Sequence, residues 1–293
     1  MKKRKKFNSN TVYMAVIYTV AIGAALLWLY PLVYVVSASF SDAKALLAGE
    51  VILFPKGFNL DAYRYAFKSK DILIGYRNTL FYSVVGTLYN MVLTTCAAYP
   101  LSKKDLKGQG FFTLMITFTM FFGGGMIPTF LNLRNLGFLN TPWVMIVPGA
   151  ISATNFIIMR NYFVHSISGE LLEAAHIEGA SQLQILWKIV LPLAKPIMGV
   201  LTIYYMAGHW NAYFSAIIYL KDKELKPLQV FLKDILMRGA MDGMSSGSSM
   251  TDNVIYESLK YAVIVISTFP MLIAYLLVQK SFKKGIMMGS LKG

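Results

Sequence analysis

Apolar runs long enough to cross a bilayer take up most of this chain and leave it few ways to fold. A spanning helix needs roughly 20 mostly apolar residues to cross a hydrocarbon core about 30 Å thick. Runs that meet this need lie at residues 12–40, 79–101, 111–133, 143–163, 189–220 and 259–278. In lipid no water satisfies backbone N–H and C=O groups, so such runs fold as helices. Charged residues make up 14% of the 293, too few to cover a soluble domain of this length. The expected fold is therefore all-α, a polytopic membrane protein with six transmembrane helices.

A net charge of +14 would point to nucleic acid in a soluble protein. In a membrane protein it has a topological reading, because Lys and Arg collect on the cytoplasmic side. With the N-terminus inside, the inner segments are the tail 1–11, the loop 102–110, the segment 165–188 and the tail 284–293. Lys2, Lys3, Arg4, Lys5 and Lys6 make the N-tail basic. Lys103, Lys104 and Lys107 outweigh Asp105 in the first inner loop. Lys280, Lys283, Lys284 and Lys292 flank or occupy the C-tail without an acid. Both termini are thus expected in the cytoplasm, with a six-helix membrane body at 12–283 and outer loops at 41–77 and 221–257. The first apolar run exceeds the roughly 7–15 residues of a signal peptide's core and reads as a retained anchor. Cys96 stands alone, matches no disulfide or metal spacing, and reads as a small apolar residue.

One inner segment breaks the basic pattern. Residues 165–187 carry Glu170, Glu173 and Glu178 between two apolar runs. Ser168 stands where a helix N-cap belongs. Leu172, Ala175 and His176 share a helical face by their spacing. Gly179 suits the left-handed position that ends a helix. Residues 183–190 then read as a second helix leading to Pro192. The segment is expected to be a helical hairpin offering Glu173 and the small Ala174 and Ala175 to a partner. A helix lying on lipid headgroups is the other reading, although such helices favour Lys and Arg.

Several features interrupt the spans. Gly123, Gly124, Gly125 and Pro128 should bend the third. Pro148 and Asn155 lie in the fourth. Pro192 and Pro196 open the fifth, and His209, Trp210 and Asn211 lie towards its outer end. Polar groups and broken helices at membrane depth line pathways, while small residues and Pro also serve plain helix packing. Both readings stay open here. No span carries a row of Asp, Glu or Arg, and the chain has neither a phosphate-binding Gly-rich loop nor a metal-ligand cluster. If the chain moves a solute uphill, the energy comes from another subunit.

Glu173-Ala174-Ala175, a gap of three residues, Gly179-Ala180, then Trp187 and Leu191-Pro192-Leu193-Ala194-Lys195-Pro196 resemble the signature loop of membrane subunits of ATP-binding-cassette importers. Glu178 stands where that family usually has Asp, and Trp187 where it usually has Phe. Further similarity to the carbohydrate-uptake branch, which includes the smaller maltose-permease subunit, lies in Arg77-Asn78-Thr79-Leu80, Trp210-Asn211-Ala212-Tyr213 and the tail from Lys284 to Gly293. Within that branch the chain is similar to permeases for complex oligosaccharides of Gram-positive bacteria, including those for pectin-derived fragments.

The resemblance implies a type I importer fold in a bacterial plasma membrane, with no cofactor on this chain, and with ATP and Mg on a separate ATPase. It implies two cytoplasmic ATPase subunits, a second homologous permease, an extracytoplasmic solute-binding lipoprotein and an oligosaccharide substrate, with no nucleic acid. It assigns ATPase coupling to Glu173, Ala174, Ala175, Glu178, Gly179, Ala180 and Pro192, and a tail contact to Gly285, Met288, Gly289 and Ser290. Candidate substrate contacts are Asn155, Trp210, Asn211 and Tyr213, because sugars are held by aromatic faces, amides and hydroxyls. An interfacial aromatic belt is the alternative for Trp210 and Tyr213. Two other readings are an importer of polyamine, phosphate or amino acid, and a non-transporting membrane scaffold.

Overall fold

The structure is a computed structural model, and it describes residues 9–242 and 250–289. All regular secondary structure among the described residues is helical. The helices are α1 (Ser9–Ser39), α2 (Ala43–Leu47), α3 (Asp61–Lys68), α4 (Lys70–Leu101), α5 (Gln109–Phe121), α6 (Met126–Asn135), α7 (Ala153–Ser166), α8 (Gly169–Ile177), α9 (Gln182–Ile185), α10 (Leu191–Leu193), α11 (Lys195–Trp210), α12 (Tyr213–Tyr219), α13 (Leu228–Asp242) and α14 (Met250–Gly289). Short 3₁₀ turns sit at Pro142–Met145 and Lys223–Leu225, and a π turn at Leu186–Val190.

Tyr13–Ser39, Lys70–Leu101 and Tyr256–Gln279 are each long and apolar enough to cross a membrane, and two bent helix pairs raise the count to five. The expected fourth span is the difference. Its first part is a 3₁₀ turn and an irregular loop through Pro148 and Gly149, which leaves α7 with 14 residues. At 1.5 Å per residue that is about 21 Å of helix, short of a full crossing. The third span is broken as the glycine run implied. Residues 122–125 are non-helical and α6 turns 115° from α5. Gly125, at φ +86°, supplies a backbone conformation that other residues resist. Two polar segments hold more helix than their composition implies. Lys70 already begins α4, nine residues before the expected start, and 221–257 contains α13 and the start of α14. Residues 243–249 of the expected second outer loop lie outside the described residues.

The chain divides into two compact units, residues 1–69 with 232–266 and residues 70–231 with 267–293. In the first, Phe40 stacks on Phe58 and Tyr63, with ring centroids 5.8 and 5.0 Å apart. The Tyr63 hydroxyl meets Ser39 Oγ at 2.8 Å, and burial raises its pKa above the ordinary phenol value. Asn59 N donates to Phe40 O, closing the loop over the end of α1.

The second unit is built on α4. It packs against α7 and α11, and its buried face carries Asn78, Thr79, Tyr82, Ser83, Thr87, Asn90, Thr94 and Thr95. Neighbouring loops use these polar groups. Asn78 Nδ2 donates to Glu224 O and Lys226 O, Tyr82 OH to Leu225 O, and Leu228 N donates to Thr79 Oγ1. Gly75 lets that segment approach, for a Cβ there would lie 2.9 Å from Leu228 Cα and 2.7 Å from the Phe231 ring. At its other end, α4 joins a core of Phe156, Met159, Phe163, Ala175, Ile185, Val190 and Leu201.

Candidate functional site

Two sites emerge in the second unit, a helical hairpin and a polar cavity. The hairpin is α8 followed by α9, the π turn and α10. Ser168 occupies the N-cap position of α8 with extended backbone, but its hydroxyl makes no capping bond. The C-terminus closes as its sequence implied. Gly179 has φ +83°, its N–H donates to His176 O, and Ala180 N donates to Ala175 O. That is the paired bond set of a Schellman turn, whose left-handed residue is best filled by glycine. Ser181 then caps α9 in a capping box with Gln184.

The π turn and the 82° bend after Leu193 have a shared cause. Pro192 and Pro196 lack N–H groups, so the helical ladder loses two donors within five residues.

The hairpin sorts its residues by face. Ala175 is buried and Leu172 packs on the core. Ala175 therefore spends its small size on contact inside the subunit, whereas Ala174 faces outward with Glu173, Glu178 and Gly179. Ala180 is half-buried and Pro192 exposed. Beside them Ile177, Leu183 and Trp187 are 88%, 69% and 68% exposed. Three large apolar side chains next to two free-standing carboxylates form a surface suited to a protein partner. Glu173 and His176 also line a cleft of about 540 Å³ with Lys103, Lys104 and Asp105 of the α4–α5 loop.

On the hairpin itself, the exposed Gln182 joins three elements. Its Oε1 accepts from Lys103 Nζ and, at 3.2 Å, from Tyr99 OH, while its Nε2 meets His176 Nε2. The Lys103 ammonium also sits 4.6 Å from the centroid of the Tyr99 ring. Nothing in the local sequence of Gln182 marked it as a junction.

The second site is a cavity of about 470 Å³, walled by α4, α7, α11, α12 and the loop before α7. Its polar lining includes Asn90, Ser152, Asn155, Tyr204, Tyr205 and His209, and no charged side chain among the described residues lines it. Asn90 bridges the wall, with Nδ2 donating to Ala150 O at 2.7 Å and Oδ1 2.6 Å from His209 Nε2. Gly86 makes room for that imidazole, since a Cβ there would lie 2.5 Å from Nε2. The Tyr205 hydroxyl bonds Thr94 Oγ1 at 2.6 Å and accepts from Ser152 N at 3.2 Å.

Of the four candidate substrate contacts, Asn155 alone lines this cavity. It is 7% exposed and caught in the first turn of α7. Trp210 is 2% exposed, its Nε1 donates to Ser267 O at 3.0 Å, and its ring meets Tyr76 edge-on. Asn211 donates to Ala207 O, and Tyr213 is exposed beside Phe214. The geometry thus makes Trp210 a packing anchor. Trp210→Ala is expected to cost about 3–5 kcal/mol of stability, seen as lower yield and melting temperature, with the KM of transport unchanged in protein that survives. Gly285, Met288 and Gly289 lie on the helical backbone of α14, and Ser290 falls outside the described residues. Asn90 and Tyr205 escaped the sequence reading, and His209 was noted there only as a polar group at depth, because the three converge from distant turns of α4 and α11.

Residues 72–288 match the family described as "Binding-protein-dependent transport system inner membrane component". The chain belongs to this family. The permease is 40% identical over 289 residues to the "Polygalacturonan/rhamnogalacturonan transport system permease protein YtcP" of Bacillus subtilis (strain 168), covering 97% of this chain and 99% of that one. It is 38% identical over 272 residues to "Protein LplC" of the same organism, covering 92% of each. Its fold matches a chain of a bacterial ABC transporter involved in the import of the acidic polysaccharide alginate, with a TM-score of 0.83, 37% identity, and coverage of 95% and 100%. The permease is a transporter subunit embedded in a membrane through apolar helices, as the resemblance implied.

Proposed function

We propose that this permease is one of two membrane subunits of an ATP-driven importer that receives oligosaccharide from an extracytoplasmic binding protein in a bacterial plasma membrane. Two separate ATPase subunits would dock on the α8–α9 hairpin, with Glu173, Glu178 and Gly179 at the contact and Ile177, Leu183 and Trp187 around it. The chain would keep six crossings and cytoplasmic termini, α7 with the loop before it serving as the fourth. Closure of the ATPase dimer would draw the hairpins together and open the pathway outward, a rigid-body change driven by differential binding.

The observation that carries the carbohydrate reading is the cavity lining. Amide, hydroxyl, imidazole and tyrosine groups suit sugar hydroxyls. The absence of carboxylates among the described residues of its wall disfavours a polyamine. Of the relatives described above, one is a polygalacturonan/rhamnogalacturonan permease and another belongs to an importer of the acidic polysaccharide alginate.

The test is ATP hydrolysis by the reconstituted complex against oligogalacturonates, neutral oligosaccharides, polyamines and phosphate. Stimulation of at least threefold by an oligosaccharide alone is expected, and stimulation by a non-sugar alone would overturn the assignment. Asn155→Asp places a carboxylate in the cavity. It should reduce import of an oligogalacturonate about tenfold, and that of its methyl ester much less.

A further inference from the structure

We infer that Gln182 is a positioning residue of the transport cycle, a relay that ties the coupling hairpin to the inner end of α4 and holds only while His176 is neutral. The inference rests on the reading of α8–α9 as the ATPase-docking hairpin.

Hydrogen-bonding chemistry alone fixes the direction of the relay. A lysine ammonium has donors and no acceptor, so the amide atom facing Lys103 must be oxygen. That oxygen also takes the Tyr99 hydroxyl at 3.2 Å. The NH2 end of Gln182 is then left facing His176 Nε2. An amide nitrogen only donates, so His176 Nε2 must be the bare acceptor nitrogen, with its proton on Nδ1. Gln182 thereby connects α8 through His176, the start of α9 through itself, α4 through Tyr99, and the α4–α5 loop through Lys103.

Apolar packing of Leu172 and Ala175 also connects α8 to this core. Such packing seats the helices against each other, and the hydrogen bonds of Gln182 add a directional tie to it. The three polar contacts set which turn of α4 moves with α8. When the hairpin is displaced, Tyr99 and the turn that carries it are pulled along. From there α4 runs to Thr94 and Asn90, which hold Tyr205 and His209 in the cavity wall.

Protonation of His176 removes the acceptor. The amide then meets a donor on the histidine side, or, if it flips, a donor on the lysine side, so neither orientation satisfies all partners. The charged groups around the imidazole are Lys103, Lys104 and Asp105 from the α4–α5 loop and Glu173 on its own helix. The segment of α7 in that cleft contributes only Phe163 and Val164.

The test uses the complete transporter, with its ATPases, second permease and binding protein, in lipid nanodiscs. Ser215 lines the cavity. Ser215→Cys in a Cys96→Ala background reports on cavity access through its labelling rate with a membrane-impermeant maleimide. The readout is the ratio of rates with and without ATP and vanadate at one pH, which cancels the titration of the thiol itself. The otherwise unaltered transporter is expected to show an ATP-dependent change at pH 7.5 that shrinks at least threefold at pH 5.5. Gln182→Leu should lose about fivefold of that change at both pH values, while ATPase subunits co-purify as before. Gln182→Glu keeps acceptors for Lys103 and Tyr99 and now favours a charged imidazole, so its change should be larger at pH 5.5 than at 7.5. A Gln182→Leu protein that responds like its parent, or a Gln182→Glu protein with the parent's pH order, overturns the relay. Failure of the docking reading looks different, for then ATPase co-purification would survive loss of Glu173 and disruption of Gly179.

Discussion

Gly179→Val is expected to abolish coupling between this permease and its ATPase, with at least a tenfold loss of ATPase co-purification and of solute-stimulated hydrolysis. The cause is backbone strain, because a Cβ at Gly179 would meet nothing within 4 Å. The residue holds φ +83°, where an L side chain costs about 1–2 kcal/mol and a β-branched one more. The Schellman pair, His176 O with Gly179 N and Ala175 O with Ala180 N, exists only in that conformation. Losing it lets the last turn of α8 unwind and moves Ile177 and Glu178 away from Leu183 and Trp187. A docking face built from those residues would depend on that turn. Asparagine tolerates the left-handed region, so Gly179→Asn should retain coupling to within about threefold. Glu173→Ala removes a charge and leaves the backbone intact. It should weaken ATPase binding in a salt-dependent way while membrane insertion is unchanged. If the Val and Asn variants behave alike, the turn geometry is irrelevant to docking.

The second large effect lies on the other half of α4. Gly75→Val is expected to dislodge residues 224–231 from the helix and to lower the melting temperature of the detergent-solubilised protein by several degrees. A Cβ at this position would stand 2.9 Å from Leu228 Cα and 3.0 Å from Leu228 N. The obstacle is main chain, so no rotamer change relieves it, and overpacking of this kind costs about 1–3 kcal/mol. Separation also breaks the bond from Leu228 N to Thr79 Oγ1 and strips the Asn78 amide of two carbonyls. A buried donor left unpaired adds about 1–3 kcal/mol. Limited proteolysis with trypsin should then cut after Lys223 faster than it does in the parent. An unchanged melting temperature and cleavage pattern would mean that the segment is not held by α4. Thr79→Val isolates the hydrogen bond, since it removes the acceptor and keeps the volume. It should show a smaller loss, of about 1 kcal/mol.

Much of this was legible in the residues, and the reasons differ from element to element. Tyr13–Ser39 is apolar on all sides, and a helix that hides its own polar backbone needs no tertiary partner to be recognised. Gly179 was legible because the left-handed helix end is a local demand, made by the turn on a single residue. Gly123 to Gly125 announced a break for a similar local reason, but its angle of 115° depends on what α5 and α6 pack against. The helix of the fourth span was legible only in part because hydropathy measures solubility in lipid, whereas Val144, Met145 and Ile146 are buried by protein around a 3₁₀ turn. Trp210 and Asn155 looked alike as polar-capable residues at depth. Only packing separated the tryptophan that anchors Ser267 from the asparagine that faces a cavity.

The amino-acid sequence by itself determined the solvent of this protein, its helical class and the place of its acidic hairpin. Each of these follows from composition or from chemistry within a few consecutive residues. Tertiary structure decided which face of α8 is free, that Gln182 links His176 to Lys103, and that Asn90, Tyr205 and His209 wall one cavity. Asn90 and His209 are separated by 119 positions. No local propensity brings them together. Their meeting depends on two helices approaching closely enough for an imidazole to fit over Gly86.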